Sequence, residues 1–164
     1  MAFRHDAATR VYRIVHGRSP PFDGSGTYRW GSRWISPGRQ VVHAAETYAL
    51  AVLENLVHWQ TNALLPALVC VEATIPADMQ QEQVDDVDPR PLGTLDHAAT
   101  RAYGDNWHDR RRTAILWVPS AVSPYERNVL FNQAHEDFTM IEIAAPVSAV
   151  VDRRLVRKSG GGGG

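Results

Sequence analysis

Residues Thr9 to His16, TRVYRIVH, put Val11, Arg13 and Val15 on one side of an extended chain and Tyr12 and Ile14 on the other. Alternation among β-branched and aromatic residues predicts a strand, with Arg13 projecting from its middle. Working outward, Gln40 to Ala44 reads as a short strand ending beside Thr47, an N-cap for a helix over Tyr48 to Gln60. In that helix Ala49, Val52, Leu53, Leu56 and Val57 recur at helical spacing and predict one buried apolar stripe, with Glu54 and His58 sharing a neighbouring face. Pro66 and Pro76 bracket ALVCVEATI, a core strand by its near-continuous apolarity. Residues 77–95 carry Glu82, Asp85, Asp86 and Asp88, then Pro89 and Pro91, and read as a solvated acidic loop. Leu95 to Arg112 reads as partly helical, broken near Gly104, with Arg110, Arg111 and Arg112 suited to a helix C-terminus. AILWV is a strand running into Pro119, Phe138 to Ala144 a half-exposed strand, and Val150 with Val151 a short one. Strands outnumber helices without alternating with them, which predicts an α+β fold rather than a doubly wound sheet.

Of the 164 residues, 44% are apolar and 21% charged, enough to bury the core of one domain, placed at residues 1–158. Ser159 to Gly164 is a Gly-rich linker or appended tail outside that domain. Seventeen Lys and Arg against eighteen Asp and Glu leave a net charge of −1, so no bulk attraction draws the chain to nucleic acid or an anionic membrane. The lone Cys70 excludes a disulfide framework and a Cys-based zinc site and suits a reducing compartment. No run approaches the ~20 apolar residues of a membrane span, and MAFRHDAATR lacks a signal peptide's hydrophobic segment. A cytoplasmic location is expected.

The loop from Phe22 to Arg39 gathers Arg29, Arg33 and Arg39 against Asp23, a local balance of +2, interleaved with Tyr28, Trp30 and Trp34. Guanidinium groups bind phosphate bidentately, glycines admit a ligand to the backbone, and aromatic faces stack on flat rings, the needs of a dinucleotide. The alternative is a surface loop whose tryptophans tuck into the core and whose arginines are solvated. Single-stranded nucleic acid would satisfy the same groups, but the acidic remainder of the chain weighs against it. Glu54 interrupts an apolar helix, where a carboxylate is expensive unless it meets solvent or a polar cleft. Arg13, Arg33 and His43 are the residues that the strand and loop readings bring to the same pocket mouth. His43 and His58 lack HExxH or comparable spacing, so no metal site is expected. Ser120 lacks the G-x-S-x-G elbow, which argues against a serine hydrolase and for a hydroxyl that orients another group.

In order along the chain, VYRIV with Arg13, SRW with Arg33 and Trp34, VVHAAE at 41–46, AVLENLVH with Glu54 and His58, YGDNW at 103–107, VPSAVSPYERNVLFN with Ser120 and Asn128, and the closing DRRL resemble the RES domain. This is the toxin half of bacterial Xre–RES toxin–antitoxin pairs, and the matches run from residue 11 to 155. The resemblance implies a diphtheria-toxin-like ADP-ribosyltransferase fold, a split β-core with flanking helices around a cleft for NAD⁺. It implies that Arg33, with Arg13 nearby, holds the phosphates or ribose, that Glu54 handles the nicotinamide ribose, and that Ser120 positions that end. Tyr28 and Trp34 are carried as dinucleotide-binding candidates, and Arg33 and His43 join Glu54 as catalytic ones, with NAD⁺ as substrate and no metal. His43 stands where most RES sequences carry tyrosine and is a group that can gain a proton near neutral pH. That departure favours ADP-ribose transfer to a protein, such as a ribose-phosphate diphosphokinase, over transfer to water or phosphate; a non-catalytic interaction module is the third reading. The implied partner is an Xre-type antitoxin whose tail fills the cleft. All of this requires Glu54 and Arg33 to share one cavity.

Overall fold

The computed structural model describes residues 1–57, 67–84 and 97–156. The chain runs through β1 (Ala2–Phe3), β2 (Thr9–His16), α1 (Ser25–Trp30), β3 (Val41–Ala45), α2 (Tyr48–Leu56), β4 (Leu68–Ile75) and β5 (Gln81–Gln83). It continues through α3 (Ala98–Asp109), β6 (Ile115–Pro119), β7 (Arg127–Asn132), a 3₁₀ turn at Glu136–Met140, β8 (Glu142–Ile143), β9 (Val147–Ser148) and a 3₁₀ turn at Arg153–Val156. Strand order among the described residues is β1-β5-β6-β7-β3-β2-β4-β8, with β9 also on β4. The pairs are antiparallel except β5 with β6. The α+β expectation holds.

The sheet is nearly two sheets. β2 and β4 pair continuously from Thr9↔Ile75 to His16↔Leu68, and β3 and β7 from Val41↔Asn132 to Ala45↔Asn128. Between these blocks β2 and β3 share the single pair Tyr12↔Ala45. Side-chain alternation along β3 sends Val42 and Ala44 into one core with Val11, Val71, Val129 and Phe131. On the opposite face, Val41 packs with Trp34, Trp107, Leu116 and Leu130, and Ala45 packs with Ile14, Leu50, Ala51 and Val52 beneath α2. His43 lies between Val41 and Ala45 and shares their face by the same alternation.

Several elements differ from the sequence reading. The loop after β2 contains the six-residue helix α1, despite its Gly and Pro content. Helix α3 passes unbroken through Gly104, because that glycine lies against the backbone of Trp34; a Cβ there would be 2.0 Å from the Trp34 carbonyl oxygen. Glu82 is not solvated but buried on β5, where Arg112 pairs with it at 2.6 Å and Tyr103 donates to it. Arg112 serves that pair rather than the helix dipole. Phe138 begins no strand, since Glu136–Met140 forms a 3₁₀ turn and only Glu142–Ile143 pairs. Among the described residues the last strand is Val147–Ser148, not Val150–Val151. His58, Asp85, Asp86, Asp88 and the tail from Ser159 lie outside the described residues.

Helix α2 starts at the expected cap: Thr47 Oγ1 accepts from Leu50 N–H. Its inward face is the expected apolar stripe only in part, through Val52 and the partly buried Leu56. Leu50, Ala51 and Val52 are buried, whereas Leu53 and Val57 are 41% and 59% exposed. The first turn packs on β2 and β3, and the same face continues with Glu54 and Asn55, one helical turn beyond Leu50 and Ala51. The second half of α2 borders a cleft, toward which these polar residues turn.

Candidate active site

The cleft opens where the sheet divides. Past the Tyr12↔Ala45 pair, β2 stays on β4 as far as His16 but has parted from β3. Residues 13–16 thus border a cavity of about 800 Å³, lined also by His43, Ala44, Ala51, Glu54, Asn55 and Asn128. That volume falls within the ~300–1,000 Å³ typical of small-molecule sites.

Arg13 bridges the gap that the parted strands leave. Its Nη1 donates to the His43 carbonyl at 2.7 Å and its Nε to the Pro21 carbonyl at 3.2 Å. Burial lowers the guanidinium pKa to about 10, opposed by nearby Asp23, so Arg13 remains a cation at neutral pH. Across the cleft, Asn55 Nδ2 donates to the Ile14 carbonyl at 3.2 Å and to the Ala51 carbonyl at 2.8 Å. Two of these acceptors, the His43 and Ile14 carbonyls, belong to the strands that border the parting, and the side chains satisfy them there.

Glu54 projects from α2 into this space. Its Oε1 accepts from Ser120 Oγ at 2.9 Å and from Asn128 Nδ2 at 2.5 Å. Ser120 is 1% exposed and does not itself line the cleft. Its Oγ also accepts from the Val122 and Ser123 N–H groups, each at 3.1 Å, which fixes the hydroxyl proton toward Glu54. Ser120 therefore meets the carboxylate directly, where the resemblance implied a contact with the dinucleotide.

His43 borders the cleft, yet its Nε2 is buried without a hydrogen-bond partner. Burial, and then the positive charge of Arg13, push its pKa down from 6.5 to about 3, so the imidazole is neutral at physiological pH. This corrects the expectation that it gains a proton near neutrality. Because the unfolded chain binds that proton near pH 6.5, the contribution of the neutral His43 to folding stability is complete above this value and is lost progressively as pH falls toward 3. Wild type should lose about 2 kcal/mol more than His43→Gln between pH 7 and pH 5, measured by denaturant unfolding.

The arginine-rich loop does not act as one unit. Arg29 and Trp30, on α1, line the cleft together with Arg18, and Trp30 is 77% exposed. Arg33 does not line it: its Nη1 lies 3.4 Å from His97 Nδ1, at the start of α3. Trp34 is 3% exposed in the core under α3, which leaves no ring face for a ligand, and Tyr28 lies outside the cleft. Arg39 makes a bidentate pair with Asp109, at 2.8 and 2.6 Å, and this pair holds the Asp109 carboxyl down to about 2. Glu54, His43 and Arg13 are brought together; Arg33, Trp34 and Tyr28 are not, so the requirement that Glu54 and Arg33 share one cavity is not met, and the guanidinium groups that do share the cleft with Glu54 are those of Arg13, Arg18 and Arg29. The sequence reading missed Arg18 and Asn55 and assigned no role to Asn128. Asn55 beside Glu54 in an apolar helix, and Asn128 before the apolar Val129, Leu130 and Phe131, were the available signals.

Among the described residues no group of three or more His, Cys, Asp or Glu is placed to hold a metal ion, and no helix is long and apolar enough to cross a membrane.

Fold and site together define an α+β protein with a divided sheet and a carboxylate–guanidinium cleft at the division. The family model described as the RES domain matches residues 10–153, and the chain belongs to the RES domain family. It is 34% identical over 140 residues to the "Prs ADP-ribosylating toxin" of Sphingobium sp. (strain YBL2), covering 83% of this chain and 87% of that one. It is 32% identical over 155 residues to "Toxin Res" of Photorhabdus laumondii, covering 90% and 97%. Its structure resembles a chain from the crystal structure of the M. tuberculosis MbcT–MbcA toxin–antitoxin complex, with a TM-score of 0.71 at 14% identity, over 89% of this chain and 86% of that one.

Proposed function

We propose that this chain is the toxin of a toxin–antitoxin pair, which cleaves the nicotinamide–ribose bond of NAD⁺ and transfers ADP-ribose to a protein. The observation that carries this reading is Glu54, held by two donors on one oxygen and standing in the same cleft as Arg13, Arg18 and Arg29. When the bond breaks, its electron pair leaves with the nicotinamide nitrogen and positive charge develops on the ribose. A fixed carboxylate stabilises that state more than the ground state. A nucleophile on the acceptor then bonds to the same carbon and releases its proton. The arginines supply charge for the pyrophosphate, and the exposed ring of Trp30 a stacking face. The Sphingobium relative named for ADP-ribosylating Prs supports a protein acceptor, and the likeness to a toxin–antitoxin complex supports an antitoxin partner. That partner is of Xre type, with its tail in the cleft, and both act in the cytoplasm.

Incubation with bacterial lysate and NAD⁺ labelled in its ADP-ribose half should release nicotinamide and label a protein band. Free ADP-ribose or its phosphate ester without a labelled band would make the chain an NAD⁺-consuming hydrolase or phosphorylase. Neither product would leave a non-catalytic module.

The relocation of Arg33 carries its own prediction. Arg29→Ala should weaken NAD⁺ binding about tenfold or more, as expected for loss of a charge-assisted contact of ~1.5–3 kcal/mol. Arg33→Ala should change the Kd by less than about threefold. Calorimetry on both variants checks this, and the reverse order would return Arg33 to the site.

A further inference from the structure

We propose that Asn128 is the positioning residue of Glu54: its amide, with the Ser120 hydroxyl, occupies Oε1 so that Oε2 is left for the substrate. The proposal deepens the function above, and its kinetic arm rests on that reading.

Asn128 sits in the interior of the sheet, paired with Ala45 of β3 on one side and Val118 of β6 on the other. Strand alternation places its side chain on the face shared by Ala45, Leu130 and His43, the face that α2 covers. A primary amide on a central strand is costly unless it finds a partner. Its Nδ2 donates to Glu54 Oε1 at 2.5 Å, and Ser120 Oγ donates to the same oxygen at 2.9 Å. The two donors come from β7 and from the segment after β6, so they fix the carboxylate from two directions. Among the described residues Oε2 accepts no hydrogen bond, and the carboxylate lines the cleft. The segment carrying Ser120 is buckled to the start of α2: Ser123 Oγ donates to Glu126 Oε2 at 2.7 Å and Thr47 Oγ1 to Glu126 Oε1 at 2.5 Å. The helix bearing Glu54 and the donors that hold it therefore form one connected unit.

The test uses the full chain with Asn128→Asp and Asn128→Ala. In the Asp variant two carboxyl groups share one site with little change of shape, so ionisation of one opposes ionisation of the other. The other titratable or charged groups lining the cleft among the described residues, Tyr12, Arg13, His16, Arg18, Asp23, Arg29 and His43, are untouched. The titration midpoint of the Glu54 carboxyl, followed by its ¹³C resonance, is expected to rise by about one pH unit or more. The acid limb of kcat on NAD⁺ should move with it. In the Ala variant kcat should fall roughly 10- to 100-fold, with KM within about threefold, because only the orientation of the carboxylate is lost. A Glu54 titration unmoved by Asn128→Asp overturns the contact, and a kcat within about twofold of wild type in Asn128→Ala overturns the positioning role. Should wild type release no nicotinamide, the functional reading fails while the carboxyl titration still decides whether Asn128 holds Glu54.

Discussion

Glu54→Gln is expected to lower nicotinamide release from NAD⁺ by roughly 10²- to 10³-fold, while the Kd for NAD⁺ stays within about threefold. The substitution is nearly isosteric, and its amide oxygen can accept from Ser120 and Asn128 as Oε1 does. What disappears is the negative charge, and with it the interaction that strengthens as the ribose becomes positive. Uniform binding, which depends on the arginines and on shape, is left in place. Single-turnover kinetics beside calorimetry separates these quantities. A loss in affinity equal to the loss in rate would make Glu54 a binding residue, and unchanged turnover would remove it from the chemistry. The same variant expressed in a bacterial host without antitoxin should be harmless where wild type arrests growth; equal harmlessness of both would favour the non-catalytic reading.

Gly104→Ala is expected to destabilise the fold by about 3 kcal/mol or more, lowering Tm by roughly 10 °C. On an exposed helix the same change would stabilise by ~1 kcal/mol, because glycine is a poor helix former. Here the added Cβ would lie 2.0 Å from the Trp34 carbonyl oxygen and 3.0 Å from Ile35 Cδ1. The obstacle is backbone, which cannot swing aside as the end of a flexible side chain can. Relief requires α3 to lift away from residues 34–35, opening the core that joins Trp34 and Ile35 to Trp107 and Leu116. Thermal unfolding of the variant beside wild type reads the outcome, and a Tm equal to or above wild type would show that the helix and this segment separate freely.

Both predictions concern positions where local pattern and three-dimensional role diverge. Gly104 looks like a helix breaker because propensity is a local average; its use, close approach to a distant backbone, depends on a contact across seventy residues of chain (104 − 34 = 70). The face of α2 diverges in the opposite sense. Hydropathy singles out Leu53 and Val57, yet the helix turns Leu50, Ala51, Glu54 and Asn55 inward, because one end meets the core and the other a polar cleft. The central strand β7, RNVLFN, was legible only as part of the family resemblance, since six residues with polar ends carry little periodic signal.

Local chemistry was enough for β2 with Arg13 at its middle, for the Thr47 cap, for the β4 and β6 strands, for the α+β class and, through ordered motifs, for the RES family. These features depend on alternation, capping and short-range order, which neighbouring residues decide among themselves. The parting of β2 from β3 and the choice among arginines come from long-range packing. Arg33, Arg39 and Arg29 are equivalent cations in a string of letters. Only the fold gives the first to His97, the second to Asp109 and the third to the cleft, because a guanidinium's role is set by what stands opposite it.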